Sequence, residues 1–177
     1  TGAGLMDCKK ALVETNGDVD AAIKLLREKG LAAAAKKADR IAADGIVDIL
    51  KDGNVTAMVE VNTETDFVAK NATFQEFVKG LLRTVVANRP ASLEELNACK
   101  FDGTEFTVEE TVKDKIFTIG EKISIRRFVV VEGTTSTYIH GTGVTGVIVK
   151  FVADYAAVNN EGFAEFAKNI ALQIAAY

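Results

Sequence analysis

The one histidine of the chain, His140, is followed by the glycine pattern Gly141-x-Gly143-x-x-Gly146, whose letters match the fingerprint of dinucleotide-binding loops. That fingerprint needs a strand before it and a helix after it, because the helix N-terminus holds the pyrophosphate. Residues 147–149 are Val-Ile-Val, which is typical of a strand. The pattern therefore predicts a glycine-rich hairpin and gives little support to a nucleotide site.

Other residue types that support catalysis or metal binding are sparse. Cys8 and Cys99, the two cysteines, have neither the spacing of a zinc site nor that of a disulfide framework, and they favour a reducing compartment such as the cytoplasm. There is no Gly-x-x-x-x-Gly-Lys-Ser/Thr phosphate loop and no nucleophile motif. We therefore expect no metal and no cofactor. His140 is interpreted either as a surface imidazole or as a partner contact, and a small enzyme built on its glycine loop stays as an alternative.

A candidate of another kind lies at residues 65–67, Thr-Asp-Phe, where a strand pattern has ended and a helix pattern has not begun. A large aromatic at that position has no predicted core to enter. One interpretation is that Phe67 covers the end of the core while Asp66 caps a turn. The other is that both residues contact another molecule.

The first 30 residues have the spacing of two short helices. Gly17 and Asp18 predict the end of the first and the N-cap of the second, which is expected to end at Gly30. Because two short helices bury little, we expect a third helix before Thr1. Residues 1–30 thus resemble the three-helix ubiquitin-associated domain. The apolar positions are Leu5, Cys8, Leu12, Val19, Ala22, Ile23 and Leu26.

An α+β core is predicted to follow. Residues 31–44, rich in Ala and Lys, suggest a helical linker. The pattern then alternates and predicts two strands joined at Asp52-Gly53, with the positive φ that a type I′ turn needs. Asn71 is expected to cap a long helix with one wide apolar stripe that covers the sheet. The stripe consists of Phe74, Phe77, Val78, Leu81, Leu82, Val85 and Val86.

Two short helices and a third strand complete this first unit, residues 45–133. Ser92 with Glu95 and Thr107 with Glu110 predict capping boxes. The strand is expected over residues 123–132. Its predicted core face holds Ile123, Ile125, Val129 and Val131, with Arg127 intruding.

The pattern starts again at residue 134 with a shift of 89 residues. Strands are expected over residues 135–140 and 144–152, followed by a helix capped by Asn160. This predicts a second, related unit of antiparallel strands and a helix, residues 134–177, which is incomplete. The inner positions of its helix are predicted to be Phe163, Phe166, Ile170 and Ile174.

The repeat bears on the joint at residues 65–67. With this shift, Phe67 aligns with Ala156, so the unit does not require an aromatic at this position. An aromatic without a structural demand is a contact candidate. A misalignment by one residue would place Tyr155 opposite Phe67.

The composition and net charge exclude several classes of function. The chain of 177 residues is 48% hydrophobic and 26% charged, as in globular proteins. Its net charge of −4 argues against nucleic acid as the main partner. No apolar run approaches the roughly 20 residues that a membrane span needs, and no secretory signal is visible.

Several stretches resemble the bacterial-type elongation factor Ts family. Residues 1–12 (TGAGLMDCKKAL) and residues 60–70 (EVNTETDFVAK) carry most of the resemblance, and the second is highly specific to the family. Residues 119–127 and 138–141 agree in order and spacing. Thr63 departs from the Cys or Ser that is more frequent in the family. By this resemblance, the sequence lacks the family's first helix, the end of its second core unit, and the coiled-coil or dimerisation insertion seen in some members.

This resemblance implies a nucleotide exchange factor for elongation factor Tu, with no catalytic residue, cofactor or metal of its own. It implies that Phe67 wedges into the GTPase domain of the partner, disturbs Mg²⁺ and phosphate binding, and so releases GDP. The alternative is a ubiquitin-associated-type binding module without exchange activity. The contact residues implied are Asp66, Phe67, Thr65, Val68, Ile119, Gly120, His140, Leu5, Met6 and Lys9.

Overall fold

The computed structural model describes residues 3–177, so Thr1 and Gly2 of the 1–12 motif lie outside the described residues. The predicted α+β class is confirmed, because a helical N-terminal segment precedes two antiparallel sheets that each carry helices. The helices are α1 Leu5–Glu14, α2 Val19–Lys37, α3 Asp66–Ala69, α4 Ala72–Asn88, α5 Leu93–Ala98, α6 Val108–Ile119, α7 Tyr155–Val158 and α8 Phe163–Ala176. The strands are β1 Asp44–Asp52, β2 Val55–Thr63, β3 Ile123–Glu132, β4 Thr134–His140 and β5 Thr145–Phe151.

Both N-terminal helices begin as predicted, and α1 ends before Gly17 as predicted, but α2 does not end as predicted. Asp18 is the N-cap of α2, and its carboxylate accepts a hydrogen bond from the backbone N–H of Ala21 at 3.0 Å. The predicted helix end at Gly30 is wrong, because α2 continues to Lys37. Gly30 is buried where α2 meets α6, and a Cβ there would lie 3.7 Å from Cβ of Phe117. A glycine that looks like a helix stop is therefore a site of close helix packing.

These helices bury little apolar surface of their own. Ala11 is the buried residue of α1, and Ala22, Leu26 and Gly30 are the buried residues of α2. Val19, predicted to be inside, is 61% exposed because it lies in the first turn of α2. The apolar side of α1 consequently faces outward.

The first sheet has the strand order β1-β2-β3, all antiparallel. The predicted hairpin is confirmed, but its two-residue turn is Gly53-Asn54 and not the predicted Asp52-Gly53, because Asp52 is the last residue of β1 and pairs with Val55. The predicted turn type is wrong. A type I′ turn needs positive φ at both central residues, and here Gly53 has it (φ 57°) whereas Asn54 does not.

Helix α4 covers one face of this sheet, as predicted. The side chain of Asn71 accepts a hydrogen bond from the N–H of Thr73 at 2.8 Å, and every residue of the predicted stripe is buried. The stripe packs on the β2 residues Val55, Ala57, Val59 and Val61. The core of the first unit lies between these two elements.

The two capping boxes are realised to different degrees. The box of Thr107 and Glu110 at the start of α6 is complete. Ser92 caps α5 by accepting from the N–H of Glu95, but the Glu95 carboxylate accepts from Ala91 instead of Ser92. In the box of Ser92 and Glu95, the backbone contact of the Glu95 carboxylate is therefore shifted by one residue, from Ser92 to Ala91.

Strand β3 has the predicted limits but not the predicted face. Glu60 pairs with Arg127, whereas Val61 pairs with Ile125, so Arg126 is an extra residue in β3. Such a bulge reverses the alternation of side chains beyond it. The core-facing residues are consequently Ile123, Ile125, Phe128 and Val130, and the prediction of Val129 and Val131 on that face is wrong.

The β4–β5 hairpin of the second unit packs on the opposite face of the first sheet. The hydroxyls of Thr56 and Thr135 share a buried hydrogen bond of 2.6 Å. At the other end, the N–H of Val47 donates to the carbonyl of Gly143 at 2.7 Å. The first sheet is therefore covered on both faces, by α4 and by this hairpin. The division at residues 133 and 134 stays a prediction.

Helix α8 begins later than the repeat predicts. The side chain of Asn160 accepts from the N–H of Gly162 at 3.0 Å, but the N-cap of α8 is Gly162. The prediction of Asn160 as the cap is therefore wrong. Phe166 and Ile174, predicted to be inside, are more than half exposed, whereas Ala167 and Ala171 are buried.

We expect Gly143→Ala to destabilise the protein more than the matched change Gly103→Ala. Both glycines have positive φ (96° and 71°), so both substitutions strain the backbone. A Cβ on Gly143 would also lie 2.7 Å from the backbone oxygen of Val47, whereas nothing lies within 4 Å of one on Gly103. Overpacking of this kind costs about 1–3 kcal/mol in addition. Urea unfolding measures both, and equal losses would contradict the proposed close approach.

Candidate functional site

The joint between β2 and α4 is a single-turn helix, α3, that is anchored on one side only. Thr65 is its N-cap, and the Thr65 hydroxyl accepts from the N–H of Val68 at 3.4 Å. Ala69 is buried, and the half-buried Val68 packs against the core. Phe67 is 82% exposed. Phe67 therefore does not cover the core. Because Val68 and Ala69 pack inward, the ring of Phe67 points outward.

Asp66 lies beside Phe67 and is exposed. Its carboxylate accepts a hydrogen bond from Nζ of Lys70 at 2.7 Å. This hydrogen bond is the main cause that holds the pKa of Asp66 below its ordinary value. The joint consequently presents a negative charge next to an exposed aromatic ring.

Glu121, two residues beyond the end of α6, binds the start of this joint. Its Oε2 accepts hydrogen bonds from the hydroxyl of Thr63 at 2.8 Å and from the N–H of Thr65 at 3.1 Å. Its Oε1 accepts from the hydroxyl of Thr65 at 2.7 Å. Burial raises the pKa of Glu121, but the hydrogen bonds from Thr65 and Thr63 outweigh it, so the pKa lies below the ordinary value.

The carboxylate of Glu64, next to Thr65, makes a similar contact in the opposite direction, to the residue after Glu121. Oε1 of Glu64 accepts from the N–H of Lys122 at 2.6 Å and lies 3.3 Å from the guanidinium of Arg40. Nζ of Lys122 donates to the carbonyls of Ala38, at the end of α2, and of Arg40. The joint, the end of α6 and the end of the N-terminal helices thus share one hydrogen-bonded network.

The network brings two further predicted residues to the joint. Ile119 is half-buried against the core, and Gly120 ends α6 in the left-handed conformation with φ 89°. Both precede Glu121, so they lie on the segment that is bonded to Thr65. The sequence analysis does not indicate Glu121 as a site residue. The hydrogen bonds join residues 56 positions apart, and no local pattern in the sequence indicates them.

The other predicted residues lie on different elements. Leu5 and Met6 are 85% and 60% exposed on α1, and Lys9 is also exposed there. His140 is exposed at the end of β4, with Nδ1 3.0 Å from the hydroxyl of Tyr138. The structure therefore gives three separate groups: the joint with Ile119 and Gly120, the outer side of α1, and the β4–β5 turn.

The repeat extends to the joint. Helix α7 occupies the positions of α3 shifted by 89 residues, and its N-cap Asp154 accepts from the N–H of Ala157 at 2.7 Å. The N-caps Thr65 and Asp154 are 89 residues apart, so the predicted shift needs no correction. Ala156 is therefore the counterpart of Phe67. Tyr155, 85% exposed, is the counterpart of Asp66.

The glycine pattern after His140 belongs to the β4–β5 hairpin, as predicted: Gly141 and Gly143 lie in the turn, and Gly146 lies in β5. A Cβ on Gly146 would lie 2.7 Å from Cγ1 of Val47, so this glycine allows the second hairpin to approach β1. Within residues 3–177, no group of three or more His, Cys, Asp or Glu side chains could hold a metal ion.

In the part of the chain that the structure describes, none of the helices combines the length and apolar character needed to cross a membrane.

An α+β core that presents an anchored Asp-Phe pair fits the class of proteins that act by contact with another macromolecule. The family model described as "Elongation factor TS" matches residues 64–177, and the chain belongs to this family. Elongation factor Ts of Syntrophotalea carbinolica (strain DSM 2380) is 51% identical over 179 residues, which cover 99% of this chain and 58% of that protein. The chain thus spans less than two thirds of the length of this relative.

We expect Lys70→Met to raise the pKa of Asp66 toward its ordinary value, because the main hydrogen bond that lowers it is lost. A lowered pKa stabilises the fold above the ordinary pKa and loses this effect as the pH falls through the lowered value. Since both groups are exposed, we expect little change in melting temperature. An NMR titration of the carboxyl carbon measures the pKa. Lys79→Met should leave it unchanged, and an unchanged value in Lys70→Met would contradict the pairing.

Proposed function

We propose that this chain is the part of an elongation factor that promotes nucleotide exchange on elongation factor Tu in the cytoplasm during translation elongation. Family membership supports the general role. The observation that carries the mechanism is the exposed Phe67 on a helix whose other side is fixed to the core. Phe67 and Asp66 enter the GTPase domain of elongation factor Tu and disturb the elements that hold Mg²⁺ and the phosphates of GDP.

The physical basis is a coupling between two binding events. A protein that binds the nucleotide-free partner more tightly than the GDP-bound partner weakens GDP binding, and GDP weakens its binding by the same factor. The chain needs no bound nucleotide, metal or acid–base residue for this role. The chain needs a side chain that enters the partner, and the orientation of that side chain must be fixed before binding. Ordering a mobile side chain on binding costs entropy and so weakens the affinity.

The N-terminal helices supply a second contact in this proposal. Leu5 and Met6 are large, apolar and exposed on α1, and Lys9 lies one turn further along. This surface docks on elongation factor Tu and increases the affinity, whereas the joint accelerates GDP release. Ile119 and Gly120 flank the joint, and His140 contacts the partner from the second unit.

We expect Phe67→Ala to slow GDP release at least about tenfold, because truncation of a central aromatic anchor often costs 2 kcal/mol or more. The melting temperature should hardly change, since the ring is 82% exposed. The measurement is release of fluorescent GDP from elongation factor Tu with and without the chain.

Tyr155→Ala is the matched control for Phe67→Ala. It removes an aromatic ring of similar exposure from the equivalent helix of the second unit. Tyr155→Ala should retain nearly full activity. Equal loss in both variants would contradict a specific role of Phe67, and a large fall in melting temperature of Phe67→Ala would show that the ring is part of the core.

We expect the double change Leu5→Ser and Met6→Ser to weaken binding to elongation factor Tu while α1 stays folded, because both side chains are exposed. Deleting residues 1–30 would be a poorer test, since it cuts α2 and uncovers Phe117. Titration calorimetry measures the affinity. Val152→Ser, at another exposed apolar residue, is the control, and an unchanged affinity in the double variant would exclude α1 from the interface.

A further inference from the structure

The orientation of Phe67 depends on contacts outside its own helix. Helix α3 has four residues, too few to be stable alone. Val68 and Ala69 fix its inward side. The direction in which the chain enters the helix is fixed at Thr65, and there the partner is Glu121.

The contact with Glu121 lies just beyond the strand pairing of the first sheet. The β2–β3 ladder ends at the pair Thr63 and Ile123. Beyond it, the Glu121 carboxylate accepts from the N–H of Thr65, and the Glu64 carboxylate accepts from the N–H of Lys122. Two carboxylates thus accept backbone N–H groups just beyond the ladder, and they hold the joint against the end of α6.

We propose that Glu121 is a positioning residue of nucleotide exchange, which fixes the direction in which Phe67 enters the partner without contacting the partner's nucleotide site. This inference rests on the proposed function, since it assigns a cause to the orientation of Phe67. Glu121 acts through Thr65, and the two residues have separate roles: Thr65 caps α3, and Glu121 fixes where the cap lies.

A carboxylate suits this position because it faces three donors. It accepts from two hydroxyls and one N–H, and an ionised carboxylate is an acceptor at both oxygens. The Thr65 hydroxyl accepts from Val68, so its own hydrogen is free to donate to Glu121. An amide in place of the carboxylate keeps one acceptor oxygen and turns the other position into a donor, so it preserves only part of this arrangement.

The first experiment measures GDP release from elongation factor Tu as a function of the concentration of the chain. We expect Glu121→Ala to lower the maximal rate about tenfold, because small displacements of a positioned group cost up to about 10²-fold. The half-saturating concentration should change much less, since the α1 surface is intact. Glu121→Gln should restore part of the maximal rate.

Glu110→Ala is the matched control. Glu110 is also a carboxylate of the α6 segment, and it accepts two hydrogen bonds from Thr107 at the opposite end of that helix. Its loss should lower the melting temperature without lowering the maximal rate. A fall of the maximal rate in Glu110→Ala equal to that in Glu121→Ala would assign the effect to general instability and overturn the proposal. If Glu121→Ala does not fold, Glu121→Gln and Thr63→Val carry the test.

The second experiment reads the orientation of Phe67 directly, with a fluorinated phenylalanine placed at residue 67 and ¹⁹F NMR of the chain alone. We expect a change of shift or line width in Glu121→Ala and none in Glu110→Ala. An unchanged spectrum would overturn the proposal. This measurement is independent of activity. If the Phe67→Ala variant still accelerates GDP release normally but the spectrum changes in Glu121→Ala, the proposed function fails. Glu121 then positions Phe67 but has no role in nucleotide exchange through it.

The double variant of Glu121→Ala with Phe67→Ala completes the test. If Glu121 acts through Phe67, adding Glu121→Ala to Phe67→Ala should lower the maximal rate little further. If the two losses multiply, Glu121 acts by another route, and the positioning role is excluded.

Discussion

A helix of four residues cannot orient itself, and this constraint governs the site. The outward direction of Phe67 depends on the apolar packing of Val68 and Ala69 and on the hydrogen bonds that hold Thr65. Since these contacts come from the sheet, from α4 and from the end of α6, the whole first unit supports one exposed ring. A ring held in place before binding loses less entropy on binding than a mobile one.

The elements that the sequence predicts best are those in which local residues decide the outcome. The stripe of α4 and its cap Asn71 are separated by a few residues, and both are confirmed. The repeat was visible for the same reason, because each unit has its own strands, short helix and long helix in the same order. Family membership could also be predicted, because residues 60–70 resemble the family, and the family model matches residues 64–177.

Several of the predictions that are wrong concern residues whose role is set by distant parts of the chain. Gly30 lies inside a helix at a position next to Phe117, which is 87 residues away, and the bulge at Arg126 is visible only in the pairing with β2. Glu121 is the clearest case for the site. Its carboxylate and Thr65 are 56 residues apart, so neither periodicity nor a capping pattern links them. The joint could be predicted from the sequence, but the contact that positions it could not.

The two joints differ in a way that the repeat alone does not explain. Asp154 caps α7 with its own carboxylate, an acceptor that needs no further partner. Thr65 caps α3 with a hydroxyl that accepts from Val68 and donates to Glu121. An aspartate at residue 65 would place a second carboxylate against Glu121, so the joints are not interchangeable residue by residue. The first joint thus has two features. Its helix cap is needed for the fold and is present in both units. Its hydrogen bond to the distant carboxylate of Glu121 is needed only where the direction of an exposed aromatic ring matters.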